Sequence, residues 1–342
     1  MRPRGKEPSG SGAGCLTVST AYCRPGSVVF LARYDGRMAE TRSDAATTRL
    51  RLDIAYDGTA FAGWAKQPGL RTVQGVLEEA ISRVLGNRGR PIVLTVAGRT
   101  DAGVHATGQV AHVDLDDWQL TRFSTSQNDP TVSHDPGHML LRRANGAIGT
   151  YADVLIRGAR IVPDGFDARF SALWRRYEYR IADSVSVRNP LDRNPVLWRN
   201  ETLDVDAMQS AADALVGLHD FAAFCKPREG ATTIRTLQEF RWRRDEHGEL
   251  RAHLRADAFC HSMVRALVGG CVAVGLGRIR VSDLLPLFDQ QNRAALFPVM
   301  PARGLTFVEV GYPDDAELAE RAQLTRQRRT LSGLVDDDDD DE

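Results

Sequence analysis

The chain is poor in cysteine, with five in 342 residues: Cys15, Cys23, Cys225, Cys260 and Cys271. Their number is odd and no Cys-x-x-Cys spacing occurs. That argues against a disulfide framework or a zinc site, and for a reducing cytoplasm. Long apolar runs are also missing. The longest fall well short of the roughly 20 residues that a membrane helix needs, so no membrane partner is expected. The opening segment has arginines but no sustained apolar core with a cleavage site, and it does not read as a secretory signal. Metal-ligand clusters and glycine-rich phosphate loops are absent too, so neither a metal nor another cofactor is expected.

Net charge is almost absent, at −1, but the balance is uneven along the chain. The seven residues from Asp336 to Glu342 are all acidic, and without them the formal charge is +6. Such a block repels itself and is expected to be a disordered tail. The mildly basic remainder permits a nucleic-acid partner without requiring one.

What is present has a clear order. Residues 1–48 are rich in Gly, Ser, Arg and Thr without a hydrophobic period, and are expected to form a disordered extension. Met38 is a candidate start codon near its end. From Leu50 to Tyr56 apolar residues alternate with polar ones, which predicts a strand. Asp57-Gly58 then makes a turn. Thr72 caps a helix with an apolar stripe of Val73, Val76, Leu77, Ala80, Ile81, Val84 and Leu85. Further strands are expected at 92–97 and near 109–114, giving a β-α-β-β pattern. The Ser, Thr, Asp, Pro and Gly of 122–138 predict a flexible surface loop. A second set follows, with strands at 174–181, 237–244, 250–256 and 306–310. Its helices are expected at about 204–217 and from His261. Two β-rich halves with helices set to one side imply an α+β fold.

The densest chemistry lies between the strands at 92–97 and 109–114, in Gly98-Arg99-Thr100-Asp101-Ala102-Gly103-Val104-His105. Glycines at both ends allow a sharp turn and the close approach of another chain. A carboxylate beside cationic and hydroxyl groups stays ionised near neutral pH and can act as base or nucleophile. Taken alone, the same residues also make an ordinary Asx turn with a salt bridge.

The longer string from Ala97 to Ala106, with Gly108-Gln109-Val110-Ala111-His112, resembles the signature of the tRNA pseudouridine synthase A family. Four other stretches resemble that family in the same order. They are Ala55 to Trp64, Phe166 to Ser171 leading to Arg175-Arg-Tyr-Glu-Tyr179, His219-Asp-Phe221, and Phe259 to Gly269. The likeness runs from about Arg49 to Tyr312. It implies a pseudouridine synthase fold: two related α/β halves sharing a broad, mostly antiparallel sheet, with the active cleft between them. The halves would span 49–166, carrying the catalytic loop, and 167–313, followed by a charged tail at 314–342.

The resemblance implies site residues as well. Asp101 is placed as the essential carboxylate, Arg265 as the arginine paired with it, and Arg99 as the residue that displaces the target uridine. Tyr177 would stack on the base, although Tyr179 and Ile181 on the same strand face also suit a core tyrosine. Leu305 would wall the base pocket. Arg169, Arg175, Arg176, Lys226, Arg228 and Arg235 border the family's cleft, where basic residues meet phosphates and shape selects the tRNA. His105 and His112 read as hydrogen-bonded structural residues. Ala65 departs from the glutamine usual in the family, which changes the contacts of that loop.

The implied activity is cofactor-independent isomerisation of uridine to pseudouridine at positions 38–40 of the tRNA anticodon arm, by a cytoplasmic homodimer. The alternatives are a synthase acting on another RNA and a catalytically silent tRNA-binding protein. Retention of Asp101, Arg265 and Tyr177 together argues against the silent form.

Overall fold

The computed structural model describes residues 47–125, 133–150, 152–227 and 232–326, with the strand pairing of Arg328–Arg329 and Val335–Asp336 beyond them. The expected extension up to residue 46, Met38, Arg228 and the acidic run from residue 337 lie outside the described residues.

Strand β1 (Thr47–Tyr56) buries Leu50, Leu52, Ile54 and Tyr56 between less buried neighbours, the period-two signature of a sheet covered on one face. In helix α1 (Val73–Val84), the Thr72 hydroxyl accepts the Gly75 N–H at 3.2 Å, and Val73, Leu77, Ala80 and Ile81 face inward. The expected strand at 92–97 shrinks to β2 (Thr95–Val96). Ile92 and Leu94 are buried, but α1 takes the backbone groups that a ladder would use. The Leu94 N–H donates to Glu78 Oε1 at 2.9 Å, and its carbonyl accepts from Gln74 Nε2 at 3.4 Å. Strand β3 (His105–Asp116) is longer than expected at both ends.

The loop expected at 122–138 is corrected on both sides. Helix α2 (Asp117–Ser124) starts from a capping box of Asp116 and Gln119. Helix α3 (Pro136–Ile148) starts with the Asp135 carboxylate on the His138 N–H and a proline in its first turn. Only 126–132 of that stretch lie outside the described residues. Strand β4 (Val154–Ile161), also unexpected, is tied to α3 by the Asn145 amide, whose Nδ2 donates to the Ile156 carbonyl while its Oδ1 accepts the Ile156 N–H.

The second set comprises β5 (Trp174–Ala182), β6 (Leu197–Trp198), α4 (Val205–Asp213), β7 (Gly217–Asp220), β8 (Ile234–Arg244) and β9 (Leu250–Ala256). It continues with α5 (Met263–Gly275), β10 (Leu305–Gly311) and α6 (Leu318–Arg326), so the expected tail at 314–342 includes a helix. All ten strands from β1 to β10 join one sheet in the order β4-β1-β3-β10-β5-β9-β8-β7, with β2 on β3 and β6 on β5. Pairing is antiparallel except at β5–β6 and at β3–β10. The β3–β10 contact joins strands from either side of residue 166, with Thr306 opposite His105 and Phe307 opposite Ala106. The fold is therefore mixed α and β around a broad, mostly antiparallel sheet. Among the described residues no helix is long and apolar enough to cross a membrane.

Candidate active site

The segment 98–104 leaves β2 and enters β3 beside that junction, and the turn after β1 forms its cradle. The Trp64 N–H donates to the Thr100 carbonyl at 3.1 Å, and the Gly103 N–H to the Phe61 carbonyl at 3.3 Å. The Val104 N–H closes a tight turn onto the Asp101 carbonyl at 3.2 Å, with Gly103 at φ +81°. A Cβ on Gly58 would lie 2.0 Å from the Val104 carbonyl oxygen, so the approach of the two segments requires glycine there. From below, the buried Gln109 amide donates to the Gly98 carbonyl at 2.8 Å and to the Tyr56 hydroxyl at 3.3 Å. That hydroxyl in turn pairs with Thr100 Oγ1 at 2.8 Å. The loop is held from three directions before any charge is counted.

Asp101 meets the start of α5. Arg265 Nη1 donates to its Oδ2 at 3.1 Å, Ser262 Oγ donates to the same oxygen at 3.2 Å, and His261 Nε2 lies 3.4 Å from Oδ1. Arg265 Nε donates to the Met300 carbonyl at 2.6 Å, so the guanidinium is fixed on both edges. Every residue of α5 is buried except Arg265, whose side chain is 21 % exposed against 26 % for Asp101. The helix is thus apolar around nearly its whole circumference and spends its one charge on the carboxylate. Ser262 stands at the N-cap in the left-handed region, φ +63°, and its hydroxyl points to Asp101 rather than to a helix N–H. Strain of this kind persists where surrounding contacts hold it. The positive end of the helix dipole lies on the same side of the carboxylate as Arg265. Ser262 and Met300 were not singled out from the sequence. A serine just before an apolar helical run was the available signal for the first.

Tyr177 is buried, packed edge-on against Phe259 at 5.1 Å and Phe307 at 4.8 Å between ring centres. Burial pushes its hydroxyl above the ordinary tyrosine range, with the charges of Tyr56 and Asp101 adding to the effect. Leu305 is buried at the start of β10, opposite Tyr179. Arg99 is exposed and has no hydrogen bond or ion pair among the described residues.

Of the residues expected to meet phosphates, Arg175 is corrected. It is buried, with Nη1 on the Asp257 carbonyl at 2.6 Å and Nη2 on the Ala97 and Arg169 carbonyls at 3.1 and 2.5 Å. Burial pulls its pKa down to about 10. Its fork braces the strand entering the Asp101 loop against the segment leading to Ser262, and no phosphate can reach it. Arg175→Met leaves those carbonyls unpaired, at about 1–3 kcal/mol for each group left without a partner. We expect a clearly lower denaturation midpoint in urea; an unchanged midpoint would contradict the brace.

Arg176 is half-exposed, paired with Glu309 at 2.9 Å and lying over Trp174. Arg235 turns back onto the carbonyls of Ile234 and Thr232. Arg169 is exposed, over the ring of Phe170. Lys226 is exposed, with its N–H on the His261 carbonyl at 2.9 Å. Both histidines of the signature are buried. His105 accepts the Gly58 N–H at Nδ1 and donates from Nε2 to the Asn194 carbonyl, and burial lowers its pKa. His112 accepts the Ala168 N–H at 3.0 Å, and burial pulls it down to about 4. Ala65 is partly buried against the core.

Comparison with known proteins adds an independent finding. A family model for tRNA pseudouridine synthase matches residues 54–133 and 211–313. A tRNA pseudouridine synthase A from Leifsonia xyli subsp. xyli is 61% identical over 286 residues, covering 83% of this chain and 98% of the relative. Proteins of the same name from Cutibacterium acnes and Mycobacterium leprae are 51% and 48% identical, covering 84% and 82% of this chain and 98% and 96% of those relatives.

Proposed function

The chain belongs to the tRNA pseudouridine synthase family, whose members isomerise uridine in tRNA, and from that premise we propose that Asp101 is its catalytic carboxylate and uridines 38–40 of the anticodon arm its targets. The observation that carries this reading is the Asp101 carboxylate, left one-quarter open while Arg265 and Ser262 grip one of its oxygens.

The reaction breaks the N1–C1′ bond of uridine, turns the base and makes a C5–C1′ bond. The C5 proton leaves and N1 gains one, so composition is unchanged. As the first bond breaks, the ribose carbon becomes electron-poor. Asp101 serves as nucleophile or as electrostatic partner to the forming cation, and Arg265 keeps it aimed. Tyr177 supplies an aromatic face for the extruded base, a contact typically worth about 1–3 kcal/mol. Leu305 walls that pocket. Arg99, without a polar partner among the described residues, takes the place the uridine vacates. Arg169 and Arg176 meet phosphates at the rim. Arg235, turned back on its own strand, contributes its field more than a contact.

The same proposal includes a homodimer, in which one protomer grips the tRNA body while the other presents the site, and action in the cytoplasm. The free thiols of Cys225, Cys260 and Cys271 suit a reducing compartment.

The deciding experiment maps pseudouridine in tRNA from cells lacking the gene, then restores the gene with or without Asp101. Modification at 38–40 should vanish and return only with the intact carboxylate. A substrate comparison sharpens it. If shape and the tRNA body select the substrate, an isolated anticodon stem-loop is modified far more slowly than whole tRNA. Equal rates would favour a synthase that reads local sequence in another RNA. Binding should also fall steeply with salt, roughly 10³-fold between about 50 and 200 mM if six or so phosphates are neutralised.

A further inference from the structure

Two of the few cysteines meet behind the carboxylate site. Cys225 ends the short turn after β7, and Cys260 directly precedes His261 and Ser262, both of which contact Asp101. The backbone joins the two segments one residue further on, where the Lys226 N–H donates to the His261 carbonyl at 2.9 Å. The two thiols are neighbours, each the group that most influences the other's protonation. Cys260 also lies 4.0 and 3.9 Å from the Thr232 and Thr233 carbonyls, while the Thr233 carbonyl receives the Phe221 N–H at the head of the Cys225 turn. Cys225 is buried and Cys260 is partly open.

We propose that Cys225 and Cys260 form a reversible disulfide with a peroxide as oxidant, a modification site that slows the isomerase by displacing the segment that holds Asp101.

The asymmetry of the pair assigns the order of steps. The Cys225 S–H and the Arg235 guanidinium both favour a Cys260 thiolate, with Cys225 the larger influence, and its pKa is lowered despite burial. Cys225, beside Cys260 and buried, is pushed up and stays protonated. Partial exposure and an electropositive setting mark a reactive cysteine, and a neighbouring thiol marks a resolvable one. The Cys260 thiolate attacks one peroxide oxygen, the O–O bond breaks, and the departing hydroxide takes the proton that Cys260 had released. The Cys225 sulfur then attacks the sulfenic sulfur, the S–O bond breaks, and the Cys225 proton leaves with the hydroxyl as a second water. Two electrons pass from the thiols to the peroxide, and a small thiol reductant reverses the change. Joining the sulfurs places a covalent bond at Cys260, next to the strained φ +63° of Ser262. Bond formation there shifts Ser262 and the first turn of α5, and so the aim of Arg265. The rate effect rests on the site reading above; formation of the bond does not.

The test treats the full chain with hydrogen peroxide, maps its peptides without reduction, and measures turnover on tRNA before treatment, after it and after dithiothreitol. We expect a crosslink between the peptides holding Cys225 and Cys260, two hydrogens lighter than their sum. Turnover should drop several-fold and return with dithiothreitol, while tRNA affinity stays within about twofold. Cys225→Ser should keep its untreated turnover, form no such crosslink and leave a dimedone-reactive sulfenic acid at Cys260. Peroxide that oxidises other cysteines without a 225–260 crosslink overturns the proposal. So does a crosslink that leaves turnover unchanged. Mapping needs no activity, so a failure of the Asp101 assignment and a failure of the disulfide are told apart.

Discussion

Asp101→Asn should reduce pseudouridine formation on the order of 10³-fold, as removal of a group acting directly in chemistry does. The change preserves shape. An asparagine oxygen can still accept from Arg265 Nη1 and Ser262 Oγ, at the distances of 3.1 and 3.2 Å now seen. The loop is fixed independently by Trp64, Phe61 and Gln109. Only the negative charge and the nucleophilic oxygen pair are lost. Affinity for tRNA should stay within a few-fold, because it is spread over phosphate contacts away from this residue. Single-turnover kinetics and filter binding on the same preparation separate the two effects. Turnover at the wild-type rate would remove Asp101 from the mechanism.

The second large effect is expected from Arg265→Ala, which should damage catalysis and stability together. It strands the Asp101 carboxylate and frees the Met300 carbonyl, whose bond to Nε is 2.6 Å long. Breaking a fully buried pair costs about 3–5 kcal/mol. Here both side chains keep a fifth to a quarter of their exposure, so that figure is a ceiling. Thermal melting should fall by several degrees, and activity by about 10²–10³-fold, the loss typical of removing one preorganised electrostatic partner. Arg265→Lys should recover more stability than activity, since a lysine cannot span Met300 and Asp101 with a rigid fork. Full activity with an unchanged melting temperature in the alanine variant would rule the pairing out.

These two residues also mark how far sequence reading reaches. Helix α1 and strand β1 were legible because a stripe or an alternation of apolar residues is a local pattern. Strand β2 was overextended because burial and ladder pairing separate there. Leu94 is buried, but its N–H is claimed by Glu78, sixteen residues earlier in the chain. Helices α2 and α3 hid behind polar composition, although Asp116–Gln119 and Asp135-Pro136 were readable as caps. The Asp101–Arg265 contact spans 164 residues, and no spacing rule reaches that far; only the family resemblance pointed to it. Arg175 went the other way. An arginine looks like a surface charge until the fold surrounds it with carbonyls, and only coordinates reveal that.

The place of β10 has a consequence for synthesis. This strand sits between β3 and β5, yet it is made of residues 305–311, long after both of them in the sequence. A growing chain that has not passed residue 305 holds two sheet fragments with nothing between them, and each presents an open strand edge, a hazard for pairing with other chains. The β3–β10 and β5–β10 pairs then form across long stretches of sequence, which slows folding. The strand made last among the ten of this sheet is its keystone. A messenger broken or a ribosome stalled before codon 305 therefore yields an aggregation-prone fragment rather than a weakened enzyme, and functional protein exists only once β10 has been made.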